Sequence, residues 1–334
     1  MKLSEICLAP DKMYFLFPAA KGDTFLESFL VRVLEEKYNV QIVLIVKEDH
    51  KFIAQLLNMN FICADWQNEN LLEFPAVCSN PQKGKIFIAH PEFHKEIFFD
   101  PSLPLMSIWK TLFGLPLETK VDFRFSVPAL PSDLAQKLEK IAPLNKIVLF
   151  SVHSFSHPGI ANEFWENLAV VMKKKGFVPI CSVLQEKDAV PGTIYLPMDC
   201  EQAFLLAHHC HSVYALRSGF ADLCFQLGSR LTVFYSLEST YRLTGMNKNF
   251  HRQDIVEKVV TGEKDKITKF YFLKKIHFLT ITKQINTFCL SFFGLPVFKA
   301  VKQNEKTIWS LFGLPVLSKK TKKEFDISWL LNRK

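Results

Sequence analysis

The chain has 334 residues, 49% of them apolar and 22% charged, with a formal net charge of +8 and eight cysteines. This length exceeds what one hydrophobic core usually organises, so two domains are expected, and no apolar stretch spans a bilayer without charge, which excludes an integral membrane protein. Met1 to Glu5 open no signal peptide and the scattered cysteines fit reduced core residues, so a cytoplasmic protein is expected.

The first part of the chain alternates short apolar runs with helical patterns. Strands are predicted at 13–18, 41–46 and 85–90, and helices at 24–38 and 49–58, with short connections between most of them. This order predicts a doubly wound parallel sheet, whose ligands bind beyond the carboxyl ends of the strands.

A long connection, 91–116, follows the third of these strands. It either shapes an acceptor site, with His94 as a candidate, or is a plain surface excursion. A proline-containing break at 128–133 then precedes a helix capped by Ser132 or Asp133. We place the end of the first domain after this helix, at residue 143.

The same alternation restarts beyond residue 143. Two Rossmann-like α/β domains, 1–143 and 144–262, are therefore expected to face each other across a cleft, where a nucleotide-bearing ligand fits. Strands are predicted at 147–151, 177–183, 193–196, 212–216 and 231–235, and helices at 163–175, 201–209 and 220–227.

The turn Arg217-Ser218-Gly219 joins a predicted strand to a predicted helix. A glycine there lets the backbone approach a ligand, and the start of the helix and the guanidinium both suit a phosphate. The alternative is a buried turn whose arginine pairs with a carboxylate. The residues alone leave both interpretations open.

The tail, 263–334, is basic and aromatic, with fifteen Lys or Arg against five Asp or Glu. A short motif, Phe-Gly-Leu-Pro with an aliphatic or aromatic residue before it, occurs at 112–116, 292–296 and 311–315 at an irregular period. Lysines among apolar residues suit an anionic membrane surface, and they also suit nucleic acid. A third interpretation is a basic tail whose apolar residues pack on the domains.

Two separated segments resemble one family. The segment 17–26, containing Lys21-Gly22-Asp23-Thr24, is similar to the opening of the bacterial lipopolysaccharide heptosyltransferases, glycosyltransferase family 9. The segment 217–235 resembles that family's donor turn, helix and closing strand, and Trp165 falls where the family has a tryptophan. The resemblance covers about 1–240 and implies the GT-B fold.

The sequence also departs from this family at the donor side. Members usually carry Asp-Thr-Gly and a downstream histidine where this chain has Arg217-Ser218-Gly219 and Asp222, and a lysine where it has Glu163. The resemblance therefore implies a related glycosyltransferase with a different sugar donor.

The resemblance implies site residues as well. Asp23 matches the position of the catalytic base, although capping of the helix that follows is its alternative role. Arg217, with Ser218 and Gly219, would hold the leaving diphosphate. Asp222 would contact the sugar, orient Arg217, or complement the helix dipole.

Further candidates follow from their places beside predicted strand ends. Ser151, His153 and Ser154 are placed to reach phosphate or sugar, with His157 a weaker candidate, and Glu186 would bind the nucleotide base or ribose. Lys21, Gly22, Thr24 and His94 are candidates for the acceptor side. No spaced carboxylates indicate a divalent metal, and neighbouring residues in the run 208–211 do not converge on one ion, so no metal or cofactor is expected.

The sequence as a whole predicts an inverting, metal-independent glycosyltransferase at the inner face of a bacterial membrane. Its donor would be a nucleoside diphosphate sugar, and its acceptor a lipid-linked, lipopolysaccharide or capsule glycan, with the tail on the anionic membrane surface. The alternatives are a catalytically silent membrane or assembly protein of the same fold and, with less support, a nucleic-acid-binding protein.

Overall fold

A computed structural model describes most of the chain as far as residue 260 and, beyond it, the backbone of six strands. The described residues are 1–66, 70–74, 76–78, 80–94, 103–154, 156–260, 266–272, 276–284, 287–292, 295–303, 306–311 and 314–320.

The first sheet has five parallel strands in the order β3-β2-β1-β5-β4. All residues of β1, β2 and β5 are buried, as expected for a parallel sheet covered on both faces. Its elements are β1 (Met13–Leu16), α1 (Lys21–Tyr38), β2 (Ile42–Val46), α2 (Lys51–Leu56), β3 (Asn60–Cys63), β4 (Val77–Cys78), β5 (Ile86–Ile88) and α3 (Leu105–Leu112).

The second sheet has six parallel strands in the order β11-β10-β9-β6-β7-β8. Two parallel α/β sheets confirm the predicted fold class, whereas the domain limits stay predictions. The elements are α4 (Ser132–Glu139), β6 (Ile147–Ser151), α5 (Asn162–Lys174), β7 (Val178–Cys181), β8 (Ile194–Tyr195), α6 (Cys200–His209), β9 (Ser212–Leu216), α7 (Gly219–Leu223), β10 (Leu231–Tyr235), α8 (Glu238–Thr244), α9 (Met246–Asn249) and β11 (Val256–Val259).

One hydrophobic core runs from the first sheet into the second. Phe25 and Phe29 of α1 pack against Phe225, which follows α7, with ring centroids 6.1 and 6.3 Å apart. Phe225 is also stacked on Phe250 at 4.3 Å. Because aromatic pairs contribute about 0.5–1.5 kcal/mol beyond the area they bury, this cluster holds the two sheets together.

The described part of the connection 91–116, residues 91–94 and 103–116, is not a plain surface excursion. It contains α3, whose Trp109 is 2% exposed, and the ammonium of Lys110 donates a hydrogen bond to the carbonyl of Leu117. The amide of Leu115 bonds back to the carbonyl of Lys110 and Gly114 has φ +63°, so the motif at 112–116 ends a helix.

The described residues of the two later copies lie in a third, antiparallel sheet, so the repeat in the sequence is not one repeated structure. They are residues 292, 295–296, 311 and 314–315. Phe292 pairs with Leu295 and Leu311 with Leu314, so each copy joins two neighbouring strands. The six strands pair in chain order. They are β12 (Lys266–Phe272), β13 (Ile276–Gln284), β14 (Thr287–Phe292), β15 (Leu295–Gln303), β16 (Lys306–Leu311) and β17 (Leu314–Lys320).

Among the described residues, no helix combines the length and the apolar character that a membrane span requires.

Candidate functional site

The candidate site lies where α1 of the first sheet meets α7 of the second. Gly22 and Gly219 touch there, since a Cβ on Gly219 would lie 2.7 Å from the amide nitrogen of Gly22, and a Cβ on Gly22 would overlap the Cα of Gly219. Neither position can carry a side chain unless the two loops separate. The two predicted turns are thus brought together, in direct contact.

Asp23 lies in the first turn of α1, beside this contact. Its carboxylate accepts a hydrogen bond from the backbone of Ala20, and the helix begins at Lys21, earlier than predicted. Burial, and then the charge of Asp222, raise its pKa to about 6, against an opposing effect of Arg217. Ala20 is the N-cap of this helix, so the expected capping by Asp23 of a helix that begins at Thr24 is not observed. The carboxylate of Asp23 changes its protonation state close to neutral pH.

Arg217 is 3% exposed, and its guanidinium donates into the protein. Nε bonds to the carbonyl of Thr244 at 2.9 Å, while Nη1 bonds to the carbonyl of Ser218 at 2.7 Å and to Oδ2 of Asp222 at 2.8 Å. Of the two interpretations that the sequence left open, pairing with a carboxylate is the one observed. The ion pair between Asp222 and Arg217 is thus observed, and the three roles considered for Asp222 stay predictions.

Asp222 lies between the two helix starts. Its Oδ2 is 3.0 Å from the position that a Cβ on Gly22 would take, and its side chain is 6% exposed. Ser218 is 7% exposed, and its hydroxyl has no hydrogen-bond partner within the described part of the chain. An anionic group thus occupies the place between a buried arginine and the start of α1.

The loop after β6 forms the other side of the site. The hydroxyl of Ser154 accepts a hydrogen bond from the amide of His157 at 3.3 Å. Burial, and then the charge of Arg217, lower the pKa of His157 to about 4, so this ring is close to Arg217 and neutral at pH 7. Ser151 is half-buried at the end of β6.

Two further donor-side candidates lie nearer the surface. His153 is exposed and donates from Nε2 to the carbonyl of Asp188 at 3.4 Å. Glu186 is also exposed, at the start of a 3-10 turn, Glu186–Asp188. His153 and Glu186 therefore lie around one surface turn.

Three of the acceptor-side candidates already have partners in the fold. Lys21 forms an ion pair with Asp49. Thr24 is buried and hydrogen-bonded to Nδ1 of His50 at 3.0 Å. His94 is 3% exposed, donates from Nε2 to the carbonyl of Ile88 at 2.6 Å and stacks on Phe87, and its assignment to the acceptor side stays a prediction.

His90 and Glu92 are site residues that the sequence analysis missed. Nδ1 of His90 accepts a hydrogen bond from the amide of Glu92 at 3.4 Å, the ring lies against Trp109 at 5.6 Å, and the charge of Glu92 acts on Asp23. The predicted strand 85–90 included His90, but β5 ends at Ile88. A shorter strand would have placed both residues at its carboxyl end.

The histidines of the run 208–211 do not converge on one point. His208 donates to the carbonyl of Phe204, His209 to that of Pro128, and His211 stacks on Phe177, so the three rings contact different parts of the fold. Among the described residues, no group of three or more His, Cys, Asp or Glu is arranged to hold a metal ion.

No protein-family model matches the sequence, and no curated protein sequence does. Among solved structures, the chain is similar to the Escherichia coli ADP-heptose LPS heptosyltransferase II, with TM-score 0.54 and 12% identity over 76% of this chain and 92% of that one. It is also similar to a family 9 glycosyl transferase from Veillonella parvula, with TM-score 0.51 and 10% identity over 81% and 91%. The two parallel sheets joined at the Gly22–Gly219 contact therefore have the GT-B-like fold of the family 9 heptosyltransferases.

Proposed function

We propose that this protein is a GT-B glycosyltransferase that moves a sugar from a nucleoside diphosphate to a hydroxyl of a glycan acceptor. The observation that supports this most directly is Asp23, a half-buried carboxylate with a pKa of about 6 at the meeting point of the two sheets. A general base works best when its pKa is near the operating pH.

In the proposed reaction, Asp23 removes the proton of the acceptor hydroxyl. The hydroxyl oxygen then bonds to the anomeric carbon while the bond from that carbon to the diphosphate breaks. A single displacement of this kind inverts the configuration of the sugar. Negative charge builds up on the leaving diphosphate, where Arg217, after release from Asp222, and the hydroxyl of Ser218 would stabilise it.

The donor of this chain is proposed only as a class. The similar E. coli enzyme is an ADP-heptose heptosyltransferase. In this chain the proposed donor turn consists of Arg217, Ser218 and Asp222. Its buried arginine is paired with a carboxylate, so the contacts it offers to a donor differ from those of the Asp-Thr-Gly turn and histidine that the family usually has. We therefore propose a nucleoside diphosphate sugar, bound without a metal or cofactor, and leave ADP-heptose as one member of the panel to be tested.

For the acceptor, we propose a lipid-linked, lipopolysaccharide or capsule glycan at the inner face of the plasma membrane. Support comes from the third sheet: five of its six strands contain lysine, and none of the six contains aspartate or glutamate. Lysines near an anionic bilayer contribute about 1 kcal/mol each to binding. Nucleic acid would also attract these lysines, but it explains neither of the parallel sheets.

The test is to measure turnover with a panel of nucleotide sugars and truncated lipopolysaccharide acceptors. Turnover is detected as release of nucleoside diphosphate. Loss of a general base costs about 10²–10⁴-fold in rate, so Asp23→Asn should lose activity by that amount. Asp133→Asn is the matched control, because Asp133 also lies in the first turn of a helix but is exposed on α4. Full turnover by Asp23→Asn would rule out the proposed mechanism.

A second candidate is a catalytically silent protein of the same fold. The observation that favours it is the direct contact between Gly22 and Gly219, which occupies the place where a diphosphate would pass between the two turns. This candidate predicts no stabilisation by any nucleotide and no turnover, together with membrane binding through the third sheet.

A further inference from the structure

The buried pair of Arg217 and Asp222 combines the features of an anion-binding site with a built-in anion. Both side chains are almost fully buried, 4% and 6% exposed. The carboxylate lies against Gly22 in the first turn of α1, an 18-residue helix whose start favours negative charge. A cation and a helix start facing one buried point are the elements with which proteins bind phosphate.

Arg217 is held in place by groups other than Asp222. The carbonyls of Thr244 and Ser218 accept from Nε and Nη1, and both belong to the backbone. These bonds keep the guanidinium pointing the same way whichever anion faces it. A phosphate oxygen can therefore replace the carboxylate of Asp222 without any change in the orientation of Arg217.

Departure of Asp222 also affects the contact between the two sheets. Its Oδ2 and the backbone of Gly219 both lie against Gly22. A ligand that displaces the carboxylate must therefore also move the first turn of α1 away from α7. Entry of an anion and separation of the two loops are the same event.

We propose that Asp222 is an internal occupant of a phosphate-class anion site formed by Arg217 and the start of α1. The site opens only when this carboxylate leaves the arginine. That the natural anion is the diphosphate of a sugar donor rests on the proposed function. The anion site itself does not.

The proposal is tested by removing the carboxylate of Asp222. The full-length protein, Asp222→Asn and the double variant Arg217→Met/Asp222→Asn are melted with and without inorganic pyrophosphate. Asp222→Asn takes away the direct ion-pair partner of a buried arginine, so its melting temperature without ligand should fall. Saturating pyrophosphate should raise that temperature by about 5 °C, and the wild type should respond less because pyrophosphate must compete with Asp222.

The double variant separates an anion site from general stabilisation. It has neither charge of the pair, so pyrophosphate should not raise its melting temperature. If Asp222→Asn does not fold without ligand, its refolding yield with and without pyrophosphate gives the same answer. The inference is overturned if pyrophosphate leaves Asp222→Asn unchanged in stability and refolding yield, or acts equally on all three proteins.

The result is independent of sugar transfer. A pyrophosphate response in Asp222→Asn, combined with no turnover by the wild type, would remove the proposed function and leave the anion site. If the wild type turns over but pyrophosphate does not stabilise Asp222→Asn, the proposed glycosyltransferase activity is supported and the role of Asp222 as an internal occupant is rejected.

Discussion

Asp23 lies in the first turn of α1 and has a strongly perturbed carboxylate. It accepts a hydrogen bond from the backbone at the start of α1, and burial beside Asp222 raises its pKa to about 6. A carboxylate that served only to stabilise the start of a helix would do so better with an ordinary, lower pKa. The raised pKa means that the fold keeps this side chain in an environment that disfavours its charge.

This environment makes a prediction about stability and pH. Between about pH 4 and 6 the folded protein holds a proton on Asp23 that the unfolded chain releases, so the free energy of unfolding falls as pH rises. An asparagine does not titrate, so in Asp23→Asn the free energy of unfolding does not fall for this reason. The variant should be more stable than the wild type at pH 7.5, by at most about 3 kcal/mol given partial solvent screening. At pH 3.5 the two proteins should be equally stable.

Urea denaturation at pH 3.5 and pH 7.5 measures this difference. Asp133→Asn, at the first turn of α4, serves as the control because its side chain is exposed. A stability difference between wild type and Asp23→Asn that is the same at both pH values would contradict a raised pKa.

The sequence located Asp23 and Arg217 but did not decide what they contact. Asp23 was identified through the resemblance of the segment 17–26 to the heptosyltransferase family, which depends only on local sequence. The pairing of Arg217 with Asp222 depends on the exact course of a turn, so the sequence was consistent with either a phosphate or a carboxylate. The predicted strand ended two residues too late, at residue 90, and this kept His90 and Glu92 out of the candidate residues.

At the scale of elements, α1 and α7 are held together by a contact that only glycine permits. Gly22→Ala places a Cβ onto the backbone of Gly219 and should cost about 1–3 kcal/mol of stability. Gly159→Ala is the matched control, because no atom lies within 4 Å of its Cβ position and no effect beyond about 0.5 kcal/mol is expected.

Chemical denaturation gives the stability difference for these glycine variants, and X-ray scattering reports whether the two sheets separate. The close contact would be refuted if Gly22→Ala and Gly159→Ala had the same stability and the same radius of gyration.

The aromatic cluster between the sheets makes a second prediction at this scale. Phe225 is 3% exposed and contacts rings from α1 and Phe250, so Phe225→Ala should cost about 3–5 kcal/mol. Leu184, which is 80% exposed, is the control, and Leu184→Ala should change stability by less than about 0.5 kcal/mol. Equal effects of the two substitutions in urea denaturation would show that the cluster does not couple the sheets.

The elements that were predicted well are those buried on both faces. The observed β6, β9 and β10 have the predicted bounds, since each is a continuous apolar run between turn residues. The edge strands β3 and β11 were missed because their residues are half-buried and mixed in character. The helix after Gly219 ends at Leu223, earlier than predicted, and a 3-10 turn with Gly228 at φ +56° follows.

For the whole molecule, the alternation of strands and helices was sufficient to predict two parallel sheets. The resemblance at residues 17–26 and 217–235 agrees with the fold of the similar solved structures. The tail could not be predicted in the same way, because its motif occurs both at a helix end and in an antiparallel sheet. A five-residue pattern does not decide between these structures without its neighbours.

The proposed membrane contact of the third sheet is tested with anionic and neutral lipid vesicles. Lys319 and Lys320 end β17, and replacing both with glutamine should weaken binding to anionic vesicles by roughly 30-fold, at about 1 kcal/mol per lysine. Binding of the wild type should also weaken with salt. Unchanged sedimentation of the double variant with anionic vesicles would argue against this surface.

The central claim is that the protein binds a nucleoside diphosphate sugar between its two sheets. The most direct measurement is thermal melting of the full chain with a panel of nucleoside diphosphates and nucleotide sugars, beside Arg217→Ala. One nucleotide at about 100 times its Kd should stabilise the wild type by about 3 kcal/mol and should not stabilise the variant. Stabilisation of neither protein by any member of the panel would contradict the claim and favour a silent protein of this fold.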